Sequence, residues 1–259
     1  MTVKDLAQNQ RPLLLASLAC AFLLLILMVV SLFDSTEVLG INRWIKPMKF
    51  ASSITIYLLT MAVYLELLSG HEKAKKIIGW GVVLLMAGEL FLIVMQSARG
   101  TSSHFNNTSL FNGVVFSAMG LMIVANTGLM IYLTVIYFRS EINLPTAVVW
   151  GLRLGLIVFL IASAEGGYMS VVMRHSVGVN DGGAGLPFVN WSSEGGDLRV
   201  AHFVGLHALQ AIPIASIIFL YLQKKFSTVL TFGFSVLYFV SFSFVFIQAL
   251  NGKPLLKGF

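Results

Sequence analysis

The sequence predicts an all-α, polytopic integral membrane protein, a single bundle of seven transmembrane helices across residues 1–259. Three observations carry that prediction. First, 57% of the 259 residues are hydrophobic and only 11% are charged, against roughly 25% charged in soluble domains. So few charges cannot cover a water-facing surface, and much of this surface must face lipid. Second, the chain holds seven long apolar runs, each near the ~20 residues that a helix needs to cross a bilayer. Third, the runs are continuously apolar rather than alternating, which selects helices over a barrel.

The runs lie at about 12–33, 50–70, 77–98, 111–138, 147–172, 200–222 and 227–249, with boundaries good to a few residues. The first exceeds a signal-peptide core of about 7–15 residues and reads as a retained helix. It contains the lone cysteine, Cys20. The apolar stretch continues well past Cys20, so the expectation is a buried thiol and not a lipidation site. The fourth and fifth runs are long enough to tilt. Pro145 stands at the predicted start of the fifth, and Arg153 is expected to snorkel from its near end. Asp197 is the expected N-cap of the sixth, and Pro213 lies inside it.

Connections are short with one exception. His71–Lys76, Arg139–Thr146 and Gln223–Phe226 are plain charged linkers. The segment 173–199 is long and glycine-rich, and it carries Pro187, Phe188 and Trp191. A loop of that length in a compact bundle is usually functional or disordered, and its aromatics favour an ordered, lid-like segment.

The net charge of +6 does not point to nucleic acid. The basic residues sit in short segments between apolar runs, where they set orientation and meet lipid headgroups. Lysines and arginines divide equally between the two sides. The clusters Lys73, Lys75, Lys76 and Lys224, Lys225 resemble topology anchors. They place the N-terminus in the cytoplasm of a bacterial-type inner membrane and the C-terminus outside.

The outer side then collects the distinctive polar residues. These include Arg43, Lys46 and Lys49 around the first loop, Arg99 to His104 in the third, and Trp191, Arg199 and His202 in and after the fifth. Deeper, Glu89, Glu165 and His207 fall about 10–14 Å below the outer boundary, at a rise of about 1.5 Å per residue. Ionisable groups at that depth are costly in lipid and must turn inward to partners. The expectation is a shared polar chamber, with Gln96, Asn126 and Gln210 as further lining. Gly166 and Gly167, beside Glu165, would allow a close approach.

Three readings follow. In the first, the protein is a membrane-embedded enzyme acting on a lipid or another amphipathic anionic substrate. Glu89, Glu165, His207 and His104 carry the catalysis. His202, His207, Glu89 and Glu165 are candidate ligands for zinc or iron. Arg43, Lys46, Lys49, Arg99, Arg199 and Trp191 hold the substrate. Ser103 beside His104 is weak evidence for a nucleophile, because adjacent residues need not face each other. In the second, buried carboxylates with histidines form the proton relay of a small-molecule transporter, and a homo-oligomer would restore its modest size. In the third, the protein is a non-catalytic sensor or assembly factor binding a ligand or haem. No CxxCH is present, which weighs against c-type haem. The last run has no lysine, which excludes a retinal pigment.

Overall fold

The computed structural model describes residues 2–183 and 185–257. A short helix α1 (Val3–Asn9) opens the chain, with a Thr2/Asp5 capping box at its start. Among the described residues, seven further helices are long and apolar enough to cross a membrane. They are α2 (Arg11–Phe33), α3 (Ile45–Leu67), α4 (Glu72–Ala98), α5 (Leu110–Arg139), α6 (Thr146–Val172), α7 (Leu198–Leu222) and α8 (Ser227–Leu250). The protein is a polytopic, all-α membrane protein. Large apolar side chains such as Phe22, Leu32, Phe91, Leu121, Val236 and Phe244 are exposed, as expected of faces that meet hydrocarbon.

The seven helices match the seven apolar runs, but α3 and α4 begin earlier than hydropathy suggests. Asn42 Oδ1 accepts the Trp44 backbone N–H at 2.9 Å, so the turn before α3 is already organised. Lys46 and Lys49 therefore lie on its first turns rather than in a loop. At α4, Lys75 pairs with Glu72 at 2.9 Å, and its Nζ also donates to the Leu68 carbonyl at 3.3 Å. Apolar runs mark the part of a helix that lipid touches, and polar first turns extend beyond it.

The chain forms two compact units, Met1–Leu129 and Met130–Phe259. In the first, α2 packs along α3, and α3 along α4. Leu27, Trp44 and Met48 form one core cluster with Leu23, Leu24 and Val94 against it. Ile93, Val115 and Met119 form another beside Phe50. Glu66 accepts from Asn9 at 2.8 Å and Gln10 at 3.1 Å, tying the chain start to the end of α3. Cys20 is a buried free thiol.

In the second unit, α6 and α7 share the most extensive contact. Small residues let these helices approach. A Cβ on Gly151 would fall 2.6 Å from Ser216 Oγ, and one on Gly205 would meet Ala162 and Phe242. Arg153 does more than reach for an interface. Its Nε donates to the Tyr137 carbonyl at 2.9 Å near the end of α5, and its guanidinium lies over Phe138 and Trp150.

The segment before α7 is folded. Strand β3 (Ser176–Val177) pairs antiparallel with β4 (Gly196–Asp197), and Gly185 bridges Ser192. A Cβ on Gly196 would collide with the Ala249 carbonyl of α8. Only glycine lets β4 lie that close. In the first unit, β1 (Glu37–Val38) and β2 (Ile41–Asn42) form a similar short hairpin.

Candidate functional site

Among the described residues, each unit holds one buried carboxylate on a membrane-spanning helix, and each carboxylate has a histidine beside it. In the first unit, Glu89 on α4 is 1% exposed. Its Oε1 lies 3.7 Å from His104 Nε2. Neither Glu89 oxygen has a hydrogen-bond partner among the described residues. The charge of Lys46, on the first turn of α3, also acts on it.

His104 is held by its surroundings. Its ring lies 5.5 Å from Phe50, 6.1 Å from Phe105 and 6.3 Å from Phe116. Its Nδ1 is 3.0 Å from the hydroxyl of buried Ser103. The two adjacent side chains do face each other, and Phe105 follows them with a left-handed φ of 54°. Asn106 sets that loop. It donates to Thr101 Oγ1 at 2.9 Å and to the Ser102 carbonyl at 2.7 Å, and accepts from Thr108.

In the second unit, Glu165 on α6 is 6% exposed. Its Oε2 lies 3.0 Å from His202 Nδ1 on α7. Its Oε1 has no hydrogen-bond partner among the described residues. A Cβ on Gly166 would strike the His202 ring, so the close approach at this glycine is made by a histidine. His207 goes elsewhere: its Nδ1 donates to the Phe203 carbonyl at 2.8 Å, and its ring lies 4.0 Å from that of Phe203, which also meets Trp191 edge-on at 5.4 Å. Among the described residues, no three His, Cys, Asp or Glu side chains gather as a group able to hold a metal ion.

The arginines expected to hold substrate have partners of their own. Arg43 pairs with Asp34, Nε to Oδ2 at 2.7 Å, and donates to the Ala98 carbonyl at 3.0 Å. Arg99 donates to Gln96 and, at 2.9 Å, to Asn112, with its guanidinium over Phe111. Arg199 pairs with Asp197 and donates to the Asn190 carbonyl. Lys46 and Lys49 also have interactions within the chain.

Asp34 and Asp181 each organise a loop within their own unit, and neither stands out in the sequence. Asp34 accepts the Thr36 N–H at 3.0 Å, an Asx-type turn, and the Trp44 indole N–H at 2.8 Å. The Thr36 bonds first, then those from Trp44 and Arg43, hold its carboxyl below the usual range. Asp-Ser-Thr directly after an apolar run was the available signal. Asp181 accepts from the backbone of His175 and Ser176 at 3.3 and 2.9 Å.

The His175 ring lies 3.5 Å from Asp181 and 3.7 Å from Asp197. Burial pushes the Asp197 carboxyl up, but hydrogen bonds and charge from Arg199 and His175 outweigh it and hold the group low.

No family model matches the chain, and no curated protein or solved structure shows significant similarity to it.

Proposed function

We propose that this membrane protein is a proton-coupled carrier of a small solute, with Glu165–His202 and Glu89–His104 as its proton-exchanging pairs. One observation carries the reading. A carboxylate within each unit's membrane-spanning helices is almost fully buried, yet has a partly exposed histidine next to it, hydrogen-bonded at Glu165 and 3.7 Å away at Glu89: the His202 and His104 side chains are 29% and 24% exposed. A lone ionised carboxylate is costly in such surroundings. A histidine beside it offers a route by which the proton arrives and leaves. In the same reading the membrane is a bacterial-type inner membrane, the N-terminus is cytoplasmic, and a homo-oligomer supplies the size that carriers usually have.

The test is proteoliposome flux under an imposed pH gradient. It uses a panel of amino acids, sugars, organic acids and amines, read by a lumenal pH dye. At least one solute moves with protons, and Glu165→Gln abolishes the coupling. A coupled flux that Glu165→Gln leaves unchanged removes the reading.

A second reading has its own observation. Ser103 Oγ, His104 and Glu89 lie in a line, at 3.0 and 3.7 Å, in the order nucleophile, base and orienting acid. This favours a membrane-embedded hydrolase of lipid esters or amides. Burial of Ser103, at 1% exposed, ranks it second. Covalent labelling of Ser103 by a lipophilic fluorophosphonate, lost in His104→Gln, would raise it to first.

A further inference from the structure

We infer that Gly166 is a positioning residue: it fixes His202 in its Nδ1–H form and leaves Nε2 as the acceptor that the Glu165–His202 pair presents. His202 Nδ1 lies 3.0 Å from the Ala162 carbonyl and 3.0 Å from Glu165 Oε2. A backbone carbonyl only accepts. Nδ1 therefore carries the hydrogen and shares it between the two oxygens. The lone pair of the neutral ring is then on Nε2, which forms no hydrogen bond among the described residues. A carboxylate holding Nδ1–H while Nε2 faces a ligand is the arrangement by which a histidine becomes an oriented base.

Gly166 makes this geometry available. A Cβ there would strike His202 Cε1 and stand 3.0 Å from Nδ1 and 3.3 Å from Nε2. Any side chain would push the ring off α6 and out of the shared bond. At Gly167 a Cβ would meet nothing within 4 Å, so the neighbouring glycine is an internal control. The ligand class follows from the atom. Nε2 takes an N–H or O–H donor, such as water, hydronium or the donor group of a solute. The inference deepens the carrier reading and rests on it only for what Nε2 accepts.

Nitrogen-15 NMR of histidine-labelled protein in lipid nanodiscs tests it, with His202 assigned by its loss in His202→Gln. The wild type shows a protonated Nδ1 and an unprotonated Nε2 at neutral to alkaline pH. Gly166→Ala changes that signature to the other tautomer or a mixture, and Gly167→Ala does not. If Gly166→Ala fails to fold, adding His202→Ala removes the clash and restores folding. A wild-type Nε2–H form, an unchanged Gly166→Ala spectrum, or a double variant that stays unfolded overturns the inference. Failure of the two proposals is distinguishable. An Nδ1–H His202 in a protein that couples no flux to protons removes the carrier and leaves this assignment standing.

Discussion

The Arg199 guanidinium lies side-on against Asp197, with Nε 2.9 Å from Oδ1 and Nη2 2.6 Å from Oδ2. The same carboxylate accepts the backbone N–H of Ser192 at 2.8 Å and of Arg199 at 3.0 Å. One side chain thus starts α7, folds back the preceding loop and neutralises an arginine. These four donors, together with His175, explain how a carboxylate with no exposed side-chain surface stays ionised.

Removing that carboxylate strands the donors. Asp197→Ala should destabilise the protein by about 3 kcal/mol, the lower end of the range for breaking a buried pair, because Arg199 is partly exposed. Asp197→Asn keeps an acceptor for the cap and should lose less. Thermal unfolding in detergent, followed by tryptophan fluorescence, ranks the two.

The same site gives a pH dependence with a fixed sign. The Asp197 carboxyl is held below its ordinary value in the folded protein. Its contribution is therefore present above the unfolded value of about 3.9 and is lost as pH falls towards the folded one. The stability gap between wild type and Asp197→Asn should be constant from neutral pH to about 4 and narrow below it. A gap that widens on acidification would contradict the assignment.

Glycines differ by what faces them. Gly196→Ala drives a methyl into the Ala249 carbonyl and should cost about 3 kcal/mol. Gly167→Ala meets open space in a helix and should be neutral or stabilising by up to about 1 kcal/mol. Melting temperatures of the two variants should move apart.

The scaffold was legible because lipid imposes a simple rule: continuous apolar runs of crossing length become helices. The Asp197 cap was legible for a similar reason, since a carboxylate before an apolar helix has few better places. The histidine partners were not. Glu165 and His202 are far apart in the chain, and which face of α7 meets α6 depends on where small residues let the helices close. A glycine at 166 signals room for a neighbour, but not that the neighbour is this imidazole. His207 looked equally deep by residue count, yet its bond to the Phe203 carbonyl, four residues back, needs no partner helix. The partners of the basic residues were not legible either. Charge counts cannot show that Asp34, Asn112 and Asp197 already engage Arg43, Arg99 and Arg199.

Arg153 offers a test of packing by shape rather than charge. Arg153→Lys keeps the cation but loses the planar contact with Phe138 and Trp150 and the directed Nε bond to Tyr137. A loss of about 1 kcal/mol is expected, read as a lower unfolding midpoint. Wild-type stability in this variant would return Arg153 to a simple snorkelling role.

The most direct measurement of the central claim is pH-difference infrared spectroscopy of the protein in lipid bilayers. The two carboxylate–histidine pairs predict carboxyl C=O bands that appear on acidification, one absent in Glu165→Gln and another absent in Glu89→Gln. Difference spectra identical to wild type in both variants would mean that neither carboxylate exchanges a proton, and the proposed mechanism would be wrong.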